Sequence, residues 1–519
     1  METSTLRAEL LTRNSIDNTI INKTINGKNE LNIYPKSIQS YEGMLFFIGK
    51  EKSEKYLFIL FENINNKIVS EFEGTMLVPE SSSGVLLKKC LMNTDNRRQI
   101  QKYFLFTKPV VIGLSNSFGF GDRLGLANAG HIRSLNGSNF KPVLAQQSIR
   151  ELTRTQRTPE EVMDAAVWAV FQEGYISGFG ADADHLKTTA DIDLMVAAGF
   201  TMFTFDPGEY VNNEADSLNE MQLDTAIKQL NWQNLNSSYD GLSSVYSNKE
   251  INISNLLKLK PSETDFKRAL VKYGNALAHI RMLNDYLKTK YADYNSEVEV
   301  SVDETESVTS PFEHFFIANE LKRLNVNFVS LAPRFIGDFE KGIDYKGDIE
   351  LFRTEYIKHL SIVKHFGSYK ISLHSGSDKF SVYKVIGSMS NAFTHVKTAG
   401  TSYLEALKVS AVKEPSLFRE ILDYSRSLYE NEKKTYHVSA DLNKVKPGNE
   451  YSDEQLLELF FSDDCRQVLH VTFGRVVTDK DEHGKLKFKE RLLNCLKQNE
   501  ETHYNILIKH FLKHLEPFK

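Results

Sequence analysis

The chain is poor in cysteine: Cys90, Cys465 and Cys495 are its three thiols, odd in number and far apart. That excludes a disulfide framework and a zinc finger, and it points to reduced thiols in a reducing, cytoplasmic compartment. Long apolar runs are missing as well. None approaches the roughly 20 residues that a bilayer-spanning helix needs, and Met1–Lys23 lacks the apolar segment of a signal peptide. A membrane partner is therefore not expected. No stripe of basic residues interleaved with aromatics occurs, and the formal charge of −5 is spread over interspersed residues of both signs. On that pattern nucleic acid is excluded, and a small molecule is the expected partner. No GxGxxG turn follows an early strand and no P-loop is present, which argues against the nucleotide-binding folds built on those turns.

At 519 residues the chain is too long for one simple core and calls for a large domain with additions. Residues 1–105 read as a separate β-rich lobe, with strand formers at Met44–Ile48 and Tyr56–Phe61 and a loop at Ser81–Gly84. From Val110 onward eight short apolar runs recur, each ending in Gly, Ser, Asp or His. They begin near Val110, Pro142, Ile176, Met202, Val298, Phe328, Lys370 and Phe393. Helix signals lie between them. Thr158-Pro-Glu-Glu161 and Ser310-Pro-Phe-Glu313 read as capping boxes, Asp348 caps a helix that Gly367 ends, and Thr188 caps one that Gly199 ends. Eight strands alternating with helices predict an α/β fold, a (β/α)8 TIM-type barrel over residues 106–450. Residues 209–296 are read as an insertion, helical over Asp265–Tyr286. Residues 451–519 are read as a helical extension that packs over the barrel or completes a contact in a homo-oligomer.

In such a barrel the chemistry sits where the strands end. Those ends carry Asp182, Asp184, His185 and Lys187, then Asp206, Asp303 and Glu304. His374, Asp378 and Lys379 follow, then His395 and Lys397, with His437 beyond. Imidazoles among carboxylates suit a borderline divalent cation such as Zn, Mn, Co or Ni. The expected ligands are His185 and His374, with His437, Asp206 or Asp344 as the third; the plain alternative is histidines that are only hydrogen-bonded. Asp184 and Glu304 come from different strands and are the acid/base candidates, with Asp303 as the alternative to Glu304. Lys187, Lys379, Lys397 and Arg123 are candidates for holding an anionic substrate. His395 lies deep in its strand and is assigned to packing, and His131, His314 and His365 are given no role.

Several of these stretches resemble a known family. SNSFGFGDRLGLA (115–127), AQQSIRELTRT (145–155), GFGADADHLKT (178–188), FTMFTFDP (200–207), VSVDETE (300–306), SLAPRF (330–335), SLHSGSDKFSVY (372–383) and HVKTAGTSYLEAL (395–407) are similar to the tagaturonate epimerases of bacterial hexuronate metabolism. The matches are dense over roughly residues 110–440. The resemblance implies a metal-dependent isomerase that interconverts D-tagaturonate and D-fructuronate, with a base at Asp184 beside ligand His185, a donor at Glu304 and a further ligand at His374. Retro-aldol cleavage followed by re-addition is the expected route. Two other readings of the same residues are a metal-dependent aldolase or lyase that releases its fragments, and a sugar-acid sensor without turnover.

Overall fold

Eight parallel strands close into a barrel in the computed structural model, which describes residues 2–12, 19–25, 29–78, 84–255, 257–389 and 393–519. The strands are β1 (Ser117–Phe120), β2 (Lys141–Ser148), β3 (Gly180–Leu186), β4 (Met202–Phe205), β5 (Glu297–Ser301), β6 (Ser330–Ala332), β7 (Lys370–Leu373) and β8 (Thr394–Thr398). Each pairs with the next, and β8 closes on β1. Runs of apolar residues followed by capped helices have one stable solution here, a sheet closed on itself with helices outside. The caps lie where the sequence puts them. Thr158 and Glu161 exchange hydrogen bonds at the start of Pro159–Gln172, and Ser310 and Glu313 do so for Pro311–Arg323. Asp348 accepts from Glu350 and Leu351, and Gly367 ends that helix at φ 66°, in the left-handed region that glycine enters without cost.

Two boundaries differ from the sequence expectation. The run at Val110 is not a strand. Its amides are used at the N-terminal end of the barrel, where Ile112 and Gly113 donate to the Glu297 carboxylate and Val110 to the Phe179 carbonyl. The first strand begins instead at Ser117. The helix Glu263–Lys290 packs between Thr189–Ala198 and Pro311–Arg323, so it is the barrel helix that joins β4 to β5. The inserted part of residues 209–296 therefore ends before it, as short helices and the hairpin Ile251–Ser254/Leu257–Leu259. The Ser81–Gly84 loop falls largely on residues 81–83, outside the described residues.

An antiparallel sheet precedes the barrel. Its central strands, Met44–Glu51 and Glu54–Phe61, are apolar on both faces because both are covered. Phe46, Ile48, Ile59 and Phe61 pack with Trp168 and Phe171 of the barrel helix Pro159–Gln172, while Leu45, Phe47, Phe58 and Leu60 pack with Leu6 and Leu10. The C-terminal helices pack over the barrel. The helix after β1, Asn128–Ser134, has only seven residues and covers only part of the outer face of β1, through His131 stacked 5.0 Å from Phe120. Helix Glu500–Leu515 covers the rest, with the Phe511 ring 5.0 Å from Phe120 and 4.8 Å from His131. All three cysteines are buried and free, and no helix among the described residues is long and apolar enough to cross a membrane.

Phe511 is fully buried, so Phe511→Ala is expected to cost about 3–5 kcal/mol in urea unfolding. Thr158→Ala, which removes only a cap, is expected to cost about 1 kcal/mol. Equal losses would show that the C-terminal helix is not part of the barrel wall.

Candidate active site

The C-terminal mouth of the barrel is built first from alternation. In β3, Ala181 and Ala183 join the apolar layer beneath the helices, so Asp182 and Asp184 face the barrel axis. In β5 the same alternation turns Glu299 and Ser301 inward. His185 then breaks the pattern. It sits at φ 53°, and the register of β3 with β4 shifts between Ala183 and Leu186. The bulge brings two successive side chains, Asp184 and His185, to the mouth. A non-glycine residue held in that region costs about 1–3 kcal/mol, the kind of strain that gathers at functional sites.

Lys397 of β8 stands at the centre. Its ammonium is 2.7 Å from a carboxylate oxygen of each of Asp182, Asp184 and Glu299, and it donates to Thr204. His374, just past β7, has Nε2 2.7 Å from Glu299 and Nδ1 3.2 Å from Asp303. His185 has Nδ1 3.2 Å from Asp206 and Nε2 3.7 Å from Asp184. The two imidazole rings are 5.1 Å apart. Burial would lower the pKa of both rings. Asp184 and the hydrogen bond that His185 donates to Asp206 outweigh it at His185 and raise it to about 10, and Asp303 and Glu299 raise His374 to about 9. Burial raises the Asp182 carboxyl. At Asp184 burial is outweighed by His185, Lys397 and His374, which hold that carboxyl below its usual range.

The nest thus sets five carboxylates (Asp182, Asp184, Asp206, Glu299, Asp303) against one lysine. Asp184, His185 and His374 each offer a donor atom within 4.8 Å of the others, and His185, Asp206 and Glu304 form a second such group. Surplus negative charge around two imidazoles, each flanked by carboxylates at both ring nitrogens, fits a divalent cation that would take one nitrogen of each ring and leave the other on its carboxylate.

Of the residues expected from sequence, the structure brings together Asp184, His185, His374, Asp206, Asp303, Glu304 and Lys397. Arg123 lines the same cleft, with Nε on Glu151 and its guanidinium 3.6 Å above the Phe473 ring. Glu304 stands at the rim, half exposed and paired with Arg150 at 3.1 Å. His437 is not brought to the histidine pair. Its side chain is 61% exposed on an outer loop, and Nε2 meets Asp338 at 3.1 Å. Asp344 is spent on Ser381, which donates from both its amide and its hydroxyl. Lys379 is fully buried and donates to the carbonyls of Glu340, Ile343 and Ser377, so it cannot reach a substrate. Lys187 is a surface group paired with Glu209. Lys397 is neutralised by its three carboxylates and has no charge to spare for an anion. His395 is a packing residue, fully buried with Nδ1 near the Ser117 hydroxyl.

Sequence reasoning placed Asp182 at a strand end without giving it a role and missed Glu299, although acids alternating with apolar residues in a barrel strand must face the axis. It also missed Arg150, Lys341 and His470, which line the cleft from a helix start and from loops and helices far along the chain; no local signal marks them.

The profile of the family described as UxaE, tagaturonate epimerase, matches residues 34–518. The chain belongs to the tagaturonate epimerase family. A member from Thermotoga maritima, named tagaturonate/fructuronate epimerase, is 42% identical over 484 residues, covering 93% of this chain and 96% of the relative. The native crystal structure of fructuronate-tagaturonate epimerase UxaE from Cohnella laeviribosi matches with a TM-score of 0.86 at 38% identity, over 94% of this chain and 96% of that one. A glycerol complex of the Cohnella laeviribosi epimerase matches with the same score and coverage. As a tagaturonate epimerase family member the chain is an enzyme of the isomerase class, and the family match extends well beyond the barrel into the preceding sheet and the C-terminal helices.

Removing the central ammonium leaves Asp182 without its counter-charge and Asp184 and Glu299 with only their imidazole neighbours, which costs about 3–5 kcal/mol. Lys397→Met is expected to lose that much stability at neutral pH. The unpaired carboxyls would then have raised pKa values in the folded variant, so the loss should shrink as pH falls and they take up protons. A loss that does not vary with pH would show that Lys397 acts by packing alone.

Proposed function

We propose that this chain interconverts D-tagaturonate and D-fructuronate, with a divalent cation held by His185, His374 and an oxygen of Asp184. The observation that carries the reading is the convergence of two imidazoles and a surplus of carboxylates in the mouth of a barrel of this family. Zn, Mn, Co and Ni all suit such a donor set. A cation there supplies a Lewis acid for a ketone oxygen. Free, buried thiols agree with a reducing, cytoplasmic compartment.

Counted from the carboxylate, the two hexuronates differ at C3 while the ketone is C5. The hydrogen on C3 is not α to the carbonyl, so enolisation leaves that centre unchanged. Retro-aldol cleavage reaches it. The C3 hydroxyl loses its proton, and the C3–C4 electron pair passes into the enediolate of the C4–C6 fragment. C3 becomes the aldehyde carbon of the C1–C3 fragment. The aldehyde turns its other face, the C3–C4 bond re-forms, and the proton returns to the C3 oxygen. Two proton-transfer groups are needed, one for each position of that oxygen. Asp184 on the pocket floor and Glu304 at the rim both neighbour His185 from different strands, and they take these roles. Asp184 could hold a cation through one oxygen, and the other would remain for the proton.

The two imidazoles hold protons up to about 9–10 in the carboxylate nest, and a bound cation must displace them. Apparent affinity for Mn should therefore rise with pH over that range. Calorimetric titration of chelator-stripped protein near neutral pH, in buffers of different ionisation enthalpy, is expected to show protons released on binding. Binding without proton release would take the imidazoles out of the site.

Asp184→Asn and Glu304→Gln are each expected to lower kcat by about 10²–10⁴-fold with metal occupancy retained. If Asp184→Asn loses the metal together with kcat, Asp184 is a ligand only. In deuterated water the wild-type product should carry no deuterium at C3; deuterium there would refute bond cleavage in favour of direct deprotonation. Release of the two three-carbon fragments as net products would make the enzyme a lyase.

A further inference from the structure

The anionic end of the substrate needs a cation that is not already neutralised. Three of the cationic side chains in the cleft are committed: Arg123 to Glu151, Arg150 to Glu304, and Lys397 to three carboxylates. Lys341 is not. It lines the inner cleft and its outer extension alike. Its ammonium donates to the Ser375 hydroxyl, directly beside His374, and among the described residues it has no carboxylate partner. Burial works against its charge, and Glu304 and Asp303 act on it only from a distance. An uncompensated ammonium facing a half-closed polar cleft is a poor arrangement unless an anion arrives.

The backbone around Lys341 is built to hold it there. The Gly342 carbonyl accepts from Arg466 Nε at 2.7 Å. The buried Lys379 ammonium takes the carbonyls of Glu340 and Ile343 and ties them to Ser377 of the loop after β7. The Glu340 carboxylate accepts from Gln467 and Ser439 at 2.7 Å each. Every neighbour of Lys341 from 340 to 343 is thus anchored, and Lys341 alone extends into the cleft, so little ordering entropy remains to be lost on binding. A second unmet group lies in the same cleft. Arg123 is 5% exposed, and its Nη1 has no hydrogen-bond partner. His470, which also lines the cleft, is in electrostatic reach of both Arg123 and Lys341.

We propose that Lys341 takes the carboxylate of the substrate, with the spare Nη1 of Arg123 as a further donor, and that this pair makes the site prefer a sugar acid to a neutral ketose. The proposal rests on the hexuronate reading above. It replaces Lys187, Lys379 and Lys397 in the anion-binding role and turns Lys379 into a positioning residue for the segment that carries Lys341.

The test separates the two readings by using probes that do not react. Binding of D-galactonate and of galactitol, which differ in the carboxylate, is measured calorimetrically on the Mn-loaded wild type, Lys341→Met and Lys341→Arg. Thermal melts confirm that the variants fold. The wild type is expected to prefer the hexonate by about tenfold or more, the strength of one charge-assisted hydrogen bond. Lys341→Met should erase that preference and raise KM for tagaturonate by a similar factor, with little effect on D-tagatose. Lys341→Arg should keep most of it. A preference that survives in Lys341→Met, or one absent from a wild type that does epimerise tagaturonate, overturns the proposal and leaves the epimerase reading standing. A preference abolished in Lys341→Met in a protein that does not turn over tagaturonate sustains the anion site and removes the epimerase reading.

Discussion

At the axis of this barrel, where a (β/α)8 fold ordinarily stacks layers of branched apolar side chains, the ammonium of Lys397 sits among Asp182, Asp184, Glu299 and Thr204. Around it Ser330 donates to Glu299, and Thr204 donates to Asp182. Such an arrangement is costly to desolvate and gives little net stability of its own. What it does is set charge. One lysine cannot neutralise the carboxylates around it, and the remainder dictates the state of everything nearby. It raises the pKa of both imidazoles above the usual histidine range. Because the centre contributes so little, cohesion comes from elsewhere: the apolar layer between strands and helices, the sheet packed on Trp168 and Phe171, and the C-terminal helix over β1.

The cleft is held open on its other side by a second set of buried charges. Asp378, in the left-handed region at φ 63°, receives Arg466 at 2.6 Å and His510 at 2.8 Å. Arg466 also reaches Gly342, and Lys379 spans the segments after β6 and β7. Elements from the end of the chain therefore fix the loops that bear His374 and Lys341. Chemistry and positioning are divided between two charge clusters: one faces the cleft, and the other is sealed beneath the C-terminal helices.

Most of the fold was legible in the sequence because it rests on local signals. Thr158 with Glu161, Ser310 with Glu313, and Gly367 mark helix ends by mechanisms that need no tertiary partner. Val110 misled because an apolar run that seals the barrel's end has the same composition as a strand, and its use depends on Glu297 far along the chain. The site was legible where acid and imidazole cluster in one stretch, as in Asp182–His185. It was not legible among the lysines. Lys379 and Lys397 both follow or end a strand and look alike as sequence, yet carbonyls enclose one and carboxylates the other. Which partner a lysine meets is decided by the other chain segments that crowd it, and Lys341 and His470 enter the cleft from segments with no local motif.

The outer face of β1 is covered by residues from the far end of the chain. Phe118 and Phe120 emerge from the ribosome long before Phe511, which packs against them. Until the C-terminal helix is made, the outside of the first barrel strand has only part of its cover, so the wall is not sealed before Phe511 has emerged. Contacts of such long sequence separation form late, and exposed aromatic strands are the kind of surface on which growing chains associate. The enzyme thus has a built-in vulnerability during biogenesis that the mature molecule does not show.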